Sequence, residues 1–177
     1  MDDRIPHLSA AQCDVAGARR FCRTAPGSGG RNREVEVTTQ LYTLDVLRLA
    51  TSTADLHPLE NPQASVEKRS PTCGSRVRVD VIVDAQGNIA ELGAELQACA
   101  LGQASTALMA AHAVGRSGAE LGIARDALRA YLKGASERSG DWPGLEIFAA
   151  ARKHPGRHAA ILLAFEAAAE AATAAAG

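Results

Sequence analysis

Two cysteines, Cys73 and Cys99, occupy positions from which a thiol can do chemistry. Cys73 lies in a Pro-Thr-Cys-Gly turn directly before a strand-like run, and Cys99 stands at the start of a helix-like run. Thiolates are soft ligands for zinc, iron and iron–sulfur clusters, and they also accept sulfur as a persulfide. A helix N-terminus favours the charged thiolate. The residue types therefore predict half of a site for a soft metal or for sulfur.

Sequence alone leaves two other interpretations of this pair open. A free cysteine is often a small buried apolar residue, and Cys73 and Cys99 would then be packing residues or remnants of an ancestral site. If the two sulfur atoms meet, a disulfide could form under oxidising conditions. Their placement at a tight turn and at a helix start favours chemistry over packing.

The strands that must position the two thiols are predicted from periodicity. Alternating charged and apolar residues predict a half-buried strand over 76–84. A partner strand is predicted over 89–97, joined to the first by a hairpin turn that contains Gly87. A shorter strand is predicted over 64–69, directly before the Cys73 turn. These strands predict a small three-stranded antiparallel sheet.

Helical spacing dominates the rest of the chain. Apolar residues predict a helix from Leu41 to Ala50, and further helical segments are predicted over 99–115, 118–133, 145–153 and from about 157 to the end. Strands followed by helices predict an α+β fold, with the helices packed on one face of the sheet.

The length of 177 residues is that of a single domain. Residues 39–177 are predicted to form this domain. Residues 1–38 mix charge, Gly and Pro without a period, which is typical of a disordered or poorly ordered extension. His7, Cys13 and Cys22 fall in this extension, and its two cysteines are predicted to be free thiols.

Charge and hydropathy narrow the function classes. A formal net charge of −1 gives no electrostatic footprint for nucleic acid or for an acidic membrane. No run approaches the ~18 apolar residues that span a bilayer, and the first residues lack the pattern of a signal peptide. Four cysteines without a disulfide framework predict a reducing, cytoplasmic compartment. No nucleophile–base pair is visible, so no enzyme activity is expected.

Four runs of the chain carry a more specific signal. They are Leu41-Tyr42-Thr43-Leu44-Asp45-Val46-Leu47, Pro71-Thr72-Cys73-Gly74-Ser75-Arg76, Ala98-Cys99-Ala100-Leu101-Gly102 and Pro155-Gly156-Arg157-His158-Ala159-Ala160. In this order they resemble the U-type iron–sulfur cluster scaffold family, which comprises IscU, SufU and the N-terminal domain of NifU. The runs are most similar to the SufU branch.

The resemblance implies an IscU/SufU-like fold and a role in iron–sulfur cluster assembly. It implies a scaffold that holds iron or a cluster, receives sulfur from a cysteine desulfurase and passes the cluster to receiving proteins. Zinc binding with sulfur transfer is the variant found in some members. In this chain the resemblance implies that Cys73 and Cys99 are cofactor and metal ligands.

The same resemblance implies that the ligand set is degenerate. The family uses three cysteines and one aspartate, but here Ser75 stands at the aspartate position and Ala160 at the third cysteine position. A serine hydroxyl stays protonated at neutral pH and alanine cannot ligate. Two thiolates alone do not fill the four-coordinate shell that zinc prefers.

Several replacements for the missing ligands are open. His158 is included as a third metal ligand, although two residues of helix correspond to a rotation of about 200° away from Ala160, so His158 reaches the site only if the helix starts later or unwinds. His154, His112 and His57 are weaker candidates. Water, an external thiol or a homodimer with four thiolates could also complete the shell. The alternative function is a metal-free protein-interaction module that retains the scaffold fold.

Overall fold

A three-stranded antiparallel sheet forms one layer of the domain. The computed structural model describes residues 41–177, so the predictions for the extension, including those for Cys13 and Cys22, lie outside the described residues. The strands are β1 (Ala64–Arg69), β2 (Arg76–Val83) and β3 (Ile89–Gln97), in the order β1-β2-β3. Gly87 turns the β2–β3 hairpin at φ 81°, a value that glycine adopts without strain. The predicted strands are confirmed almost to the residue.

The helices follow the predicted segments with small changes at their ends. They are α1 (Leu44–Thr51), α2 (Ala100–Ala113), α3 (Gly118–Leu132) and α4 (Pro155–Ala176), with 3-10 helices at Ser52–Asp55 and Leu145–Lys153. Gly115 and Gly134, with φ of 81° and 74°, follow α2 and α3. Helix α4 begins two residues earlier than predicted, because a proline in the first turn needs no hydrogen-bond partner for its missing N–H.

The core lies between the inner face of the sheet and α4. Val77, Val79 and Val81 alternate along β2 and are fully buried on this face, against α4. Helices α2 and α3 pack on α4 in turn. A Cβ added at Gly118 of α3 would lie 2.5 Å from Thr173 Oγ1 of α4, so glycine sets how closely these two helices approach. The α+β class is confirmed.

The loop between the first 3-10 helix and β1 covers part of the outer face of the sheet. The fully buried carboxylate of Asp80 accepts hydrogen bonds from Leu59 N at 3.2 Å and from Ser65 Oγ at 2.5 Å. Arg78 Nε lies 3.0 Å from the same carboxylate. A Cβ at Gly93 would meet the carbonyl oxygen of His57 at 2.5 Å. The pair of a buried carboxylate and a glycine therefore fixes this loop on the sheet.

The sequence predicts no segment apolar enough to span a bilayer, and helix α4 corrects that expectation. Among residues 41–177 it is the helix long and apolar enough to cross a membrane by length and composition. Within the domain 61% of its apolar window is buried. Its apolar surface contacts β1, β2, α2 and α3, as the core helix of a domain does.

Candidate functional site

The turn that carries Cys73 is closed by backbone and side-chain hydrogen bonds. Ser70 N donates to the carbonyl oxygen of Ser75 at 2.8 Å, which joins the end of β1 to the start of β2. Gly74 has a φ of 68°, which a side chain at this position would resist. Cys73 therefore projects from a short loop that is fixed at both ends.

Two buried hydroxyl groups contact the thiol of Cys73. Its Sγ donates to Ser70 Oγ at 3.2 Å and lies 3.1 Å from Ser75 Oγ. Ser70 and Ser75 are 4% and 3% exposed, whereas Cys73 is half-buried. Since each hydroxyl can rotate to donate, the same geometry can stabilise a thiolate.

Opposing effects set the pKa of the Cys73 thiol, and the net result lies below its ordinary value. Partial burial raises the pKa. Side-chain hydrogen bonds from Ser70 and Ser75, a backbone hydrogen bond from Ser75 and the positive charge of Arg157 lower it by more. The thiolate of Cys73 is therefore more accessible near neutral pH than that of an ordinary cysteine.

Cys99 is the N-cap residue of α2. Its backbone is extended, with φ −65° and ψ 164°, and its carbonyl oxygen accepts the first helical hydrogen bond from Gln103 N at 2.9 Å. The thiol makes no capping hydrogen bond and is half-buried. The predicted position of Cys99 at the start of a helix is confirmed.

Strand register brings both cysteine-bearing segments to one end of the sheet. Arg76, the first residue of β2, pairs with Gln97, the last residue of β3. Cys73 precedes Arg76 by three residues and Cys99 follows Gln97 by two. The Cys73 turn and the Cys99 cap therefore both lie just beyond the same strand pair.

The first turns of α4 pack against the same region. Ser105 Oγ of α2 donates to the carbonyl oxygen of Ile161 at 2.6 Å, and a Cβ at Gly102 would lie 3.2 Å from the carbonyl oxygen of Ala160. Ala160 itself is fully buried. Helices α2 and α4 thus meet close to the Cys99 cap, and Ala160 supplies a methyl group at the position where the resemblance implies a thiol.

The candidate histidines each have contacts of their own in the structure. His158 Nε2 donates to the carbonyl oxygen of Ala151 at 2.9 Å, and α4 starts earlier, not later, than the prediction required for this residue. His154 is the N-cap residue of α4. His112 packs edge-on to Trp142, with 6.3 Å between ring centroids, near the far end of α2. His57 lies in the loop over the outer face of the sheet.

Within residues 41–177 no group of three or more His, Cys, Asp or Glu side chains could hold a metal ion. Two carboxylates at this end of the sheet form ion pairs with an arginine, since Arg76 lies 3.4 Å from Glu67 and 3.2 Å from Glu95. Cys73 and Cys99 are free cysteines in the described part of the chain. The site therefore supplies two thiols.

Sequence reasoning missed two residues of this site. Ser70 and Arg157 both stand in or beside the motifs, but neither was assigned a role. The contact of Ser70 with Cys73 spans three residues and could have been inferred from the tight turn. The charge of Arg157 acts on Cys73 because of where α4 begins and packs, which local periodicity does not encode.

A cavity of about 440 Å³ opens beside the first turn of α4. Leu41, Tyr42 and the residues from Lys153 to Arg157 line it. Three of these residues, Lys153, His154 and Arg157, carry basic side chains.

Comparisons with known proteins give structural neighbours but no sequence-family match. No protein-family model matches the chain, and no curated protein sequence matches it significantly. A nitrogen-fixing NifU-like protein (N-terminal) from Brucella abortus is 32% identical, with a TM-score of 0.71 over 78% of this chain and 96% of that one. An iron–sulfur cluster assembly scaffold protein of the SUF system from Fervidobacterium islandicum shares the fold at 20% identity, with a TM-score of 0.68 over 75% and 96% of the two chains. A hypothetical protein is 25% identical, with a TM-score of 0.64 over 75% and 97%.

Proposed function

Since this chain belongs to the U-type iron–sulfur cluster scaffold family, as its likeness to the Brucella abortus protein shows, we propose that it acts in iron–sulfur cluster assembly by holding iron or a cluster through Cys73 and Cys99. The single observation that supports this role most is the pairing of Arg76 with Gln97, which puts both cysteine-bearing segments at one end of the sheet.

The chemistry of the two thiols is suited to binding iron or a cluster transiently. Both are half-buried, so each can reach a ligand from solvent while one side stays against the protein. The hydroxyls of Ser70 and Ser75 stabilise charge on Cys73, and Cys99 stands at the N-cap of α2 with its thiol free of a capping hydrogen bond. Two thiolates hold an iron ion or cluster less completely than four, which suits a protein that must release what it holds.

The proposal also covers the metal ligands other than Cys73 and Cys99, and the proteins that donate sulfur and receive the cluster. His158 joins the set only by giving up its hydrogen bond to Ala151 or by using its other ring nitrogen. Ser75 and Ala160 do not contribute. The thiolate of Cys73 can also accept sulfur as a persulfide, so we assign a cysteine desulfurase as the sulfur donor and cluster-receiving proteins as the acceptors. Zinc is a competitor for the same thiols.

The proposal is tested by metal content and spectra after anaerobic reconstitution with ferrous iron and sulfide. Cys73→Ser and Cys99→Ser should each lower the iron bound per chain at least fivefold and remove the thiolate-to-iron absorption. A double Cys13→Ser and Cys22→Ser variant is the matched control and should retain both. Equal iron in the wild type and in the Cys73→Ser and Cys99→Ser variants contradicts the proposal.

A second candidate function is a metal-free interaction module with the scaffold fold. It is favoured by one observation, namely that residues 41–177 contain no group of three metal-ligating side chains. This candidate predicts that the wild-type protein binds a cysteine desulfurase, and that Cys73→Ser and Cys99→Ser bind it equally well while none of the three retains iron.

A further inference from the structure

A second cavity, of about 300 Å³, lies between α3 and the loop that follows it. Ala124 and Ala127 of α3 and Trp142 of the loop are among the residues that line it. The indole ring is held in position, because its Nε1 donates to the carbonyl oxygen of Leu108 at 3.0 Å and the ring packs edge-on to Phe165. The fold therefore forms an apolar hole with a fixed aromatic wall.

The edge of this cavity carries a large apolar side chain that is open to solvent. Ile123 of α3 lines the cavity and is 71% exposed. An isoleucine in solvent gains nothing from its apolar surface, whereas one that fills an apolar hole removes that surface from water. One surface of the molecule thus holds both an apolar projection and an apolar hole.

The α3 residues that line the cavity have the same spacing in both directions along the helix. Glu120, Ile123, Ala124 and Ala127 are separated by three, one and three residues. An antiparallel copy of α3 laid on this stripe places Ile123 of one copy opposite Ala124 of the other, and Glu120 opposite Ala127. Each longer side chain then faces a methyl group. A two-fold interface is built from the same patch on both copies, so this patch can fit itself.

The charges around the cavity also favour a second copy of this chain as the occupant. Arg116 lies 2.9 Å from Glu120, and Arg138 lies 3.4 Å from Asp141. These four charges are therefore paired within the chain, whose formal net charge is only −1. A strongly charged partner finds no unbalanced charge among them, and two copies meet without strong repulsion.

We propose that the chain forms a two-fold homodimer in which the α3 helices pack antiparallel and Ile123 of each copy fills the cavity of the other. The interface is small, so the dimer is weak and reversible. It lies away from the thiols, because Ile89 at the start of β3 donates to the carbonyl oxygen of Arg116, just before α3, whereas Cys99 follows the other end of β3. Each copy keeps its own thiols accessible, and the proposal does not rest on the proposed function.

Analytical ultracentrifugation of the full-length protein with EDTA, from about 1 µM to about 1 mM, tests the dimer. Ile123→Glu should raise the dissociation constant at least tenfold, because it puts a carboxylate into each apolar cavity. Leu44→Glu makes the same change on α1 at a position that is 70% exposed, and it should dimerise as the wild type does. Cys73→Ser and Cys99→Ser should also dimerise normally. A monomer over the whole range, or equal effects of Ile123→Glu and Leu44→Glu, overturns the proposal.

The fluorescence of Trp142 shows whether the cavity is the contact, since Trp142 is the only tryptophan of the chain and lines the cavity. Its emission should move to shorter wavelength as the protein concentration rises, in step with sedimentation, because Ile123 of the other copy displaces water. In Ile123→Glu the emission should not change with concentration. A dimer that forms without this shift overturns the proposal. So does a protein that stays monomeric while toluene shifts the emission, since the cavity is then a site for a small apolar ligand.

Discussion

At the scale of single residues, Ser75 has a role although it stands where the family pattern has a metal-ligating aspartate. Its hydroxyl lies 3.1 Å from Cys73 Sγ and is almost fully buried. An aspartate there would place a negative charge beside the thiol and oppose its ionisation, whereas the serine hydroxyl donates to the thiolate. Serine at this position therefore favours ionisation of the Cys73 thiol.

We expect Ser75→Ala to make the Cys73 thiol less reactive. Loss of one hydroxyl partner removes a hydrogen bond that lowers the pKa of Cys73, so the thiolate forms only at higher pH. The rate of Cys73 alkylation, followed by mass spectrometry against pH, should shift to higher pH and fall severalfold at pH 7. Ser136→Ala, at a half-buried position in the loop after α3, should leave the profile unchanged. An unchanged profile in Ser75→Ala would show that Ser75 does not act on the thiol.

At the scale of elements, the start of α3 shows how local sequence sets a helix end. Ser117 caps the helix by accepting a hydrogen bond from Glu120 N, and the Glu120 carboxylate accepts one from Ser117 N at 2.9 Å. This capping box lowers the pKa of Glu120 to about 2, first through the Ser117 backbone and then through Arg116. The carboxylate is therefore favoured in the folded state.

The capping box predicts a specific loss of stability in acid. Glu120 contributes stability above its unfolded pKa of about 4.5, and this contribution is lost as the pH falls toward the folded pKa of about 2. Glu120→Gln should lower Tm at pH 6, and its difference from the wild type should shrink as the pH approaches 2. Glu60→Gln, in the exposed loop before β1, should follow the wild-type curve in parallel. A constant difference for Glu120→Gln across this range would contradict the argument.

The helices and strands also show which parts of the fold could be predicted from the sequence. Strands β1, β2 and β3 were predicted nearly to the residue, because alternation and the Gly87 turn are local signals. The positions of Cys73 and Cys99 at a turn and a helix cap were predicted for the same reason. The hydrogen bond of His158 to Ala151 and the effect of the Arg157 charge on the pKa of Cys73 were not predicted, because both depend on how α4 begins and packs.

At the scale of the whole molecule, α4 connects the layers, and its alanines and the glycines opposite them set the spacing. Gly118 and Gly122 are both in α3, but they face different surroundings. A Cβ at Gly118 would meet Thr173 Oγ1 at 2.5 Å and Thr173 N at 2.9 Å, whereas a Cβ at Gly122 would have only Arg125 Nη2 near it, at 3.9 Å.

The two glycines form a matched pair for a stability measurement. Gly118→Ala should destabilise the domain by about 1–3 kcal/mol, because the added methyl group forces α3 away from α4. Gly122→Ala should stabilise it by about 0.5–1 kcal/mol, because alanine restricts the unfolded chain and favours helix. Urea unfolding followed by circular dichroism measures both. Equal effects of the two substitutions would mean that the α3–α4 contact does not depend on Gly118.

The two sides of the thiol site differ in how firmly they are anchored. Helices α2 and α4 belong to the core, so their ends at the site cannot shift without disturbing the packing of the whole domain. The Cys73 turn is instead a short exposed connection, and a Cβ at Gly74 would meet no atom within 4 Å. The proposed exchange of cargo would therefore take place between helix ends that the core holds in position and a turn that the hydrogen bond from Ser70 N to the Ser75 carbonyl oxygen closes.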